Sequence, residues 1–268
     1  MEQSWSSGKR VVRDPAKPLV GIFRRMLLDN GKRFVAFFDI LGSGSWVETA
    51  GSMEVFTYVR GFLNLMVRAS LPGSVVNPDM SVDVPESDLG YVTFSDSIVF
   101  FSRDDSYDCL KTMLAVCGEF MNAVICGPSR MIRGAIAYGE FYVDPEANAY
   151  VGQALIDVYR LEGRQDWLAL SMHDSLVALP KFTRALAEHP GYIVRPLVPL
   201  RDSEEMPYCI NWAHRTFIHA DFNARRSLVR CYRRSLKALR GNQEELKKLK
   251  RRVKQMREFL IHYNPEIV

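Results

Sequence analysis

The chain has little that would mark a disulfide-rich, membrane-embedded or zinc-binding protein. Its five cysteines are odd in number and show no CxxC spacing, which argues against a disulfide framework or a zinc site and predicts reduced core residues. No uninterrupted run of about 20 apolar residues appears, and no apolar signal core stands at the start. The histidines are scattered and form no HExxH pair. We therefore expect a soluble, cytoplasmic protein without a membrane partner.

Two aspartates stand beside apolar runs that are too hydrophobic to hold a carboxylate without a reason. Asp39 follows residues 34–38, and Asp96 lies between the runs 91–94 and 98–101. Short aromatic-rich runs of this kind are typical of strands buried on both faces, so both aspartates are predicted at strand ends or a hairpin tip. Two carboxylates about 4 Å apart repel by roughly 4 kcal/mol at an effective dielectric of about 20. A shared proton or a divalent cation would remove that repulsion.

The same aspartates have an alternative interpretation. Asp96 is also expected at a simple hairpin turn, and Asp39 at the cap of a helix after Gly42. The pairing of the two behind predicted buried strands favours a metal site. His173, Asp174 and Ser175 look like a catalytic-triad fragment, but we interpret Asp174 as the cap of a helix that begins there.

Positive charge is concentrated in residues 221–262, which hold fourteen Lys and Arg against four acidic residues in a chain of net charge +4. Apolar residues there recur at spacings of three and four, and Gly241 and Asn242 interrupt them, which predicts an αα-hairpin with a coiled-coil-like seam. We interpret the Lys and Arg as its solvated face; a nucleic-acid-binding surface is the alternative. The predicted seam consists of Val229, Tyr232, Leu236, Leu239, Leu246, Leu249, Val253, Met256, Leu260 and Tyr263.

The rest of the chain alternates between predicted helices and strands. The predicted helices cover residues 19–28, 53–69 and 110–124, with a loop at 72–88. Further strands are predicted at residues 131–142, 167–170, 192–199 and 207–212. The order β-α-β-β-α-β predicts an α+β, ferredoxin-like sheet with helices on one face.

Four motifs occur in order between residues 34 and 212. They are FFDILG at residues 37–42, FSDSI at 94–98, RGAIAYGE at 133–140, and the segment 152–162 with Arg160. Together they resemble the catalytic domain of class III nucleotidyl cyclases, and within that group the pyrimidine cyclases of the Pycsar anti-phage systems. The resemblance implies a catalytic domain at residues 31–215, an N-terminal segment with a short helix at 1–30, and a basic helical hairpin at 216–268.

The resemblance implies a metal site. In that family two aspartates hold two divalent cations, Mn²⁺ or Mg²⁺, which corresponds here to Asp39 and Asp96 with the backbone carbonyl of Ile40 as a further ligand. Such ions stabilise the attacking 3′-oxygen and the leaving pyrophosphate. The N–H groups of the following turn suit the β- and γ-phosphates, and an ordinary strand-to-helix turn is the alternative. This turn is formed by Leu41, Gly42, Ser43 and Gly44, with Ser45 next in the chain.

The resemblance also implies that two subunits share each site. Arg160 corresponds to the family's arginine that stabilises charge on the transferring phosphate, delivered from the partner of a homodimer. The alternative is a surface salt bridge with Glu162 or another neighbour. Where the family has an asparagine that orients the ribose, this chain has Ile156. The family's phosphate-binding lysine is also missing, and Arg201 is the nearest candidate to replace it.

Base specificity is the point at which the chain departs from purine cyclases that resemble it. Those enzymes have polar residues at the positions of Val92 and Ala149. Without buried groups that hydrogen-bond a purine, discrimination in favour of ATP or GTP loses its usual basis, unless other side chains read the purine. We therefore expect UTP as the first substrate and CTP as the second.

These features together imply a uridylate cyclase that makes 3′,5′-cyclic UMP as a second messenger of anti-phage defence, detected by a separate cyclic-nucleotide-responsive effector. A cytidylate cyclase and a catalytically inactive nucleotide sensor are the alternatives. A nucleic-acid-binding protein is disfavoured because the basic segment lacks interleaved aromatic residues. A polymerase palm shares the sheet and the metal chemistry, as does a diguanylate cyclase, which the absence of a GGDEF-like segment after Asp39 disfavours.

Overall fold

The computed structural model describes residues 31–85, 87–145, 147–214, 224–239 and 242–265, so the helix predicted at 19–28 lies outside the described residues. These residues form a mixed α/β structure with a seven-stranded sheet and two small ladders. The sheet contains β1 (Lys32–Ile40), β4 (Leu89–Phe94), β5 (Ser97–Ser102), β6 (Ile132–Glu140), β9 (Leu170–Met172), β10 (Ile193–Val194) and β11 (Cys209–Ile210). The ladders pair β2 (Val75–Val76) with β3 (Val82–Asp83) and β7 (Tyr142–Asp144) with β8 (Ala149–Val151).

Helices connect and cover these strands. Those that follow β1 are α1 (Ser43–Ala50), α2 (Ser52–Thr57), a π-helical segment (Tyr58–Leu63) and α3 (Asn64–Ala69). The later ones are α4 (Tyr107–Cys126), α5 (Gln153–Arg164), α6 (Asp174–Val177), α7 (Pro180–Glu188), α8 (Ala224–Ala238) and α9 (Gln243–Tyr263).

Strand β1 lies inside the sheet, whose order is β10-β11-β9-β6-β1-β5-β4. It pairs antiparallel with β5 and β6, whereas β6 and β9 are parallel. A strand with neighbours on both edges and packed layers on both faces is shielded from water, so its sequence is a continuous apolar run. The register places Asp39 opposite Ser97 of β5 and Arg133 of β6.

The side chains of β1 alternate between two apolar cores. Phe38 enters the core that contains α4, where its ring lies edge-on to Phe120 with 5.1 Å between ring centroids. Val35 and Phe37 enter a smaller core on the other face, which α5 covers. Asp39 lies two residues after Phe37 and four after Val35, so its side chain is on the same face of the sheet, the face that α5 covers.

Helix α4 is long and apolar because it lies in the larger core. Among the described residues it is the one helix whose length and composition would allow it to cross a membrane, with a mean hydropathy of 1.5. Of the 18-residue stretch of α4 with this mean hydropathy, 72% is buried inside the structure. This burial is consistent with the core helix of a soluble protein.

All five cysteines are free and buried, which confirms that they are core residues. Burial raises the pKa of the Cys117 and Cys209 thiols, and it raises that of Cys231 to about 12.

Helices α8 and α9 contact each other, and α8 also contacts α4. The predicted seam is wrong for part of α8, because Val229 and Leu236 are 43% and 41% exposed. Leu228 and Cys231 enter the core in their place, so the helix is rotated by about one residue from the predicted face. In α9, three seam residues are buried as predicted, namely Leu249, Met256 and Leu260.

Several predicted boundaries are wrong where short strands meet the sheet edge. Strand β9 begins at Leu170, β10 and β11 have two residues each, and the predicted loop at 72–88 contains the β2–β3 ladder. Strands end where partner hydrogen bonds end, and the local apolar pattern carries no information about that point. The cap of α6 is His173, whose Nδ1 accepts from the Ser175 amide at 3.2 Å, so Asp174 is the first helical residue and not the cap.

Candidate functional site

Asp39 and Asp96 lie at one corner of the sheet. Asp96 belongs to the two-residue turn between Phe94 and Ser97, which pair as the last residues of the β4–β5 hairpin. Ser95 takes a positive φ of 55°, as the first residue of a tight hairpin turn often does. The Ile40 amide donates to the carbonyl of Asp96 at 3.4 Å. This bond fastens the hairpin tip beside the end of β1.

Asp39 is half-buried and surrounded by negative charge. Burial, followed by the nearby carboxylates of Glu162 and Asp96, raises the pKa of Asp39 to about 6, although Arg133 and Ser97 act in the opposite direction. Ser97 Oγ donates to Asp39 Oδ1 at a long 3.5 Å. A cation bound to these oxygens would stabilise the charged carboxylate.

The oxygens at this corner fit a hard divalent cation. Carboxylates of Asp39 and Asp96 with the carbonyl of Ile40 are all oxygen donors, which Mg²⁺ and Mn²⁺ prefer. No group of three or more His, Cys, Asp or Glu side chains with metal-site geometry occurs within the described residues. The backbone carbonyl and the substrate's own oxygens would therefore have to complete the coordination.

Arg133 and Glu162 form a nearly buried ion pair beside Asp39, with 12% and 5% of their side chains exposed. Arg133 Nη1 also donates to the Gln165 carbonyl at 2.6 Å, which ties β6 to the end of α5. Both residues belong to motifs identified in the sequence, but neither was predicted as a residue of the metal or phosphate site. They are separated by 29 positions, and only the pairing of opposite charges next to buried strands could have indicated their contact.

The turn after β1 presents free backbone donors. The Leu41 amide is engaged with the Met131 carbonyl at 2.9 Å, and Gly42 has a φ of 80°, a conformation that glycine adopts without strain. Within the part of the chain that the structure describes, no side chain caps α1, which starts at Ser43. An N-terminal helical turn leaves its first N–H groups without intrahelical partners, so Ser43 and Gly44 offer donors to an anion.

Val92 and Ala149, the two positions expected to face the base, lie on the strands β4 and β8. Val92 is half-buried on β4 opposite Val99 and packs on the smaller core. Ala149 is exposed on β8, opposite Asp144. Next to it, the Tyr150 ring lies 6.0 Å from the Phe94 ring and 6.2 Å from the Phe101 ring, which brings the β7–β8 ladder against the β4–β5 hairpin. Tyr150 is a hydroxyl-bearing neighbour that the sequence analysis did not identify.

Arg160 points away from the protein on α5. It is exposed, and within the described residues it forms no ion pair or hydrogen bond, including the alternative pair with Glu162. Ile156, 44% exposed, and Tyr159, 64% exposed, lie on the same helix. The chain therefore does not bring Arg160 into contact with its own Asp39 or Asp96.

Arg201 lies beside the Arg133–Glu162 pair. Its Nη2 donates at 3.0 Å to the Gln165 carbonyl, which also accepts from Arg133. Its backbone amide donates to the carbonyl of Arg164 at 2.8 Å. Arg201 is thus anchored near the Asp39 corner without a carboxylate partner among the described residues.

Comparison with known proteins gave matches only among solved structures, since no family model and no curated protein matches the chain. One match is an adenylate cyclase from Trypanosoma brucei studied in its monomeric state, with 13% identity, 69% of this chain and 91% of that chain covered, and a TM-score of 0.39. Another is the guanylyl cyclase Cya2, with 13% identity, 67% and 90% coverage, and a TM-score of 0.39. Values at this level establish neither fold nor activity.

Proposed function

We propose that this protein is a nucleotidyl cyclase, which converts a nucleoside triphosphate into a 3′,5′-cyclic nucleotide and pyrophosphate. The observation that carries the proposal is the joining of Asp39 and Asp96 at one sheet corner, immediately before the uncapped start of α1. Oxygen ligands for cations and N–H donors for phosphates then lie within a few residues of each other. Both groups of ligands suit the transfer of a nucleotidyl group from a triphosphate.

The fold around the site suits the same proposal. We interpret the strand order β6-β1-β5-β4, with helices after β1 and after β5, as a ferredoxin-like unit of the class III cyclase type. Helices α8 and α9 would form a helical hairpin outside it. The division into a catalytic domain at 31–215 and a basic hairpin at 216–268 belongs to this proposal.

Asp39, Asp96 and the carbonyl of Ile40 would hold two divalent cations, Mn²⁺ or Mg²⁺. The residues fit because Asp39 is half-buried near the carboxylates of Glu162 and Asp96, and a bound cation would compensate their combined negative charge. Bound cations would stabilise the attacking and leaving oxygens. The chain's own contribution is to orient the ligands, through the Ser97 hydroxyl on Asp39 and the hairpin turn under Asp96.

Phosphate binding would fall to backbone donors and arginines. Ser43 and Gly44 offer N–H groups to the β- and γ-phosphates, while the Leu41 amide fixes the turn through Met131. Because Arg160 is exposed and unpaired within the described residues, we propose that it acts on the site of a second subunit in a homodimer. Arg201 would be a second cation near the triphosphate.

UTP would be the preferred substrate and CTP the next. Val92 and Ala149 carry no hydrogen-bonding group, so a purine at these positions would leave its polar edge unpaired. The product, cyclic UMP, would be a second messenger of anti-phage defence in the cytoplasm and would act on a separate effector. No membrane partner is proposed, and nucleic acid is not a partner in this proposal.

The test is direct. Purified protein is incubated with an equimolar mixture of the four ribonucleoside triphosphates and Mn²⁺, and the products are identified by mass spectrometry. We expect 3′,5′-cyclic UMP and stoichiometric pyrophosphate, both abolished by EDTA. Cyclic AMP or cyclic GMP as the main product would reject the specificity and keep the reaction; the absence of any cyclic product would reject the reaction.

A catalytically inactive nucleotide sensor is the second candidate. It is favoured by Ile156, which has no polar group to orient a ribose and is 44% exposed on α5. Nucleotide binding with Mn²⁺ dependence but without pyrophosphate release would support this candidate over the cyclase.

A further inference from the structure

A cavity of about 780 Å³ lies apart from the candidate site, between α1, α2 and α8. None of the residues assigned above to metal, phosphate or base lines it. Its volume is within the range of small-molecule sites, about 300–1,000 Å³. One wall comes from α1, and the opposite wall comes from the basic helix α8.

Positive charge predominates in this cavity. Arg130, Arg234 and Lys237 line it, and among the described lining residues Glu54 is the one carboxylate. Glu54 Oε1 accepts from Trp46 Nε1 at 3.2 Å. No carboxylate of the described chain forms an ion pair with any of the three cations. The cavity thus has an unbalanced charge that an anion would compensate.

Arg130 shows the unbalanced charge most clearly. Its guanidinium carbon lies 3.2 Å from the ring centroid of Trp46 and 5.3 Å from that of Tyr58. Its Nε is buried and has no hydrogen-bond partner among the described residues. Burial, followed by the nearby charge of Arg234, lowers the pKa of Arg130 to about 10. A stacked guanidinium keeps its edge donors available to phosphate oxygens.

The other part of the cavity is apolar and aromatic. The rings of Trp46 and Tyr58 meet edge to face with 5.0 Å between centroids. Ala50 and Met53 extend this wall, and Met53 is 74% exposed. A long apolar side chain on a helix next to a cationic cleft suits a ligand with an anionic group at one end and a ring at the other.

We propose that this cavity is a second ligand site, which binds a phosphorylated small molecule that carries a ring system and has the size of a nucleoside phosphate. Its phosphate would contact Arg130, Arg234 and Lys237, and its ring would lie along Ala50 and Met53. The binding part does not depend on the proposed function. The effect of binding on activity does depend on the proposed function. Because α1 begins at the turn proposed for the substrate phosphates, a ligand in this cavity would alter cyclase activity.

The experiment measures binding to the full-length chain with EDTA present, so that the metal-dependent substrate site is not occupied. The probes are AMP, GMP, CMP and UMP, the four matching nucleosides, and inorganic phosphate, each followed by isothermal titration calorimetry. At least one nucleotide should bind, about tenfold or more tightly than its nucleoside, because charge-assisted hydrogen bonds to arginine would be lost with the phosphate.

Matched variants assign the site. The double substitution Arg234→Glu with Lys237→Glu should weaken nucleotide binding by about tenfold or more. Arg233→Glu is the control, because Arg233 is exposed on the same helix and does not line the cavity. It should change the affinity less than about twofold. Circular dichroism and thermal midpoints of the double variant show whether it is folded.

Failure of every nucleotide to bind would overturn the proposal, as would equal binding by the double variant and wild type. If the double variant does not fold, Met53→Glu, at a position that is 74% exposed, replaces it and should reduce binding in the same assay. The outcome does not depend on turnover. Nucleotide binding at this cavity can therefore be found in a protein without cyclase activity, and it can be absent from an active cyclase.

Discussion

Asp39 is a residue whose charge conflicts with the burial of its strand. The β1 strand needs apolar side chains on both faces, yet a half-buried carboxylate stands near its end beside Glu162 and Asp96. Natural proteins keep destabilising groups of this kind mainly at functional sites. The conflict at Asp39 is a physical reason to look for chemistry at this corner.

Replacing either aspartate should separate activity from stability. Asp39→Asn and Asp96→Asn each keep the side-chain shape but remove a charged ligand, so cyclase activity should fall by at least about 100-fold. For Asp39→Asn the free energy of unfolding should not fall, because an uncharged amide removes the cost of burying a charge and the repulsion with Glu162. Activity with Mn²⁺ and urea denaturation measure the two quantities.

The control for these variants is Asp108→Asn, since that side chain is 81% exposed in the first turn of α4. Its activity should match wild type. Normal turnover by Asp39→Asn would contradict the metal assignment.

The proposed substrate preference depends on two further residues. If Val92 and Ala149 face the base, ATP and GTP should have kcat/KM values at least about tenfold below that of UTP, from the roughly 1–3 kcal/mol of one unpaired polar group. CTP should come second. Parallel kinetics with the four triphosphates measure this order, and a purine in first place would refute it.

Sequence reasoning at the residue scale found groups whose local context was unusual. Asp39 was found because a carboxylate in an apolar run is rare. Glu162 was not found because its significance comes from Arg133 and Asp39, which are distant in sequence and meet only across the sheet and α5. Patterns along the chain do not contain such contacts.

Helix α5 is the element that joins the site to the proposed subunit contact. It carries Glu162 inward and Arg160 outward, and it begins after Gly152. A Cβ atom at Gly152 would collide with the Glu140 carbonyl oxygen and lie 2.6 Å from Phe141 Cα. Close packing of two backbones therefore fixes the start of this helix.

Two glycine substitutions, one at the cap of α5 and one in its last turn, test that packing. Gly152→Ala should lower the free energy of unfolding by about 1–3 kcal/mol or more, because neither backbone atom can move aside easily. Gly163→Ala meets no atom within 4 Å and should raise stability by about 0.5–1 kcal/mol through helix propensity. Urea denaturation compares the pair. A neutral Gly152→Ala would show that the start of α5 can shift.

Elements were predictable from sequence where burial and periodicity agree. β1 and α4 meet that condition, since a strand buried on both faces and a core helix leave strong apolar patterns. The two-residue strands β10 and β11 depend on a partner's hydrogen bonds. The face of α8 was misassigned because the predicted seam left out Leu228 and Cys231, which both pack in the core, the free thiol as a small hydrophobic group.

At the scale of the whole molecule, several apolar side chains in α5 and in the segments before it are exposed. These residues come from the hairpin tip, the β7–β8 ladder and α5, and a second copy of the chain would shield them. They are Phe94, Tyr142, Val151, Ile156 and Tyr159.

Mixing two inactive variants should restore activity if each site uses two subunits. The Asp39→Asn subunit lacks a metal ligand, and the Arg160→Ala subunit lacks the guanidinium that it would contribute to its partner's site. A heterodimer of the two would therefore contain one intact site. Recovery of up to about a quarter of wild-type activity is expected from random exchange, where half of the dimers are mixed. Labelled subunits confirm exchange, and no recovery despite exchange would contradict a shared site.

The five buried cysteines give this molecule an internal reporter of opening. A thiol reagent can modify Cys117 or Cys231 only when the core separates, because neither side chain has any exposed surface in the folded state. Pulse alkylation followed by intact mass would then count opened molecules as they form. Ligands of either proposed site should slow that labelling in proportion to their occupancy, which would allow binding to be observed without any turnover or engineered probe.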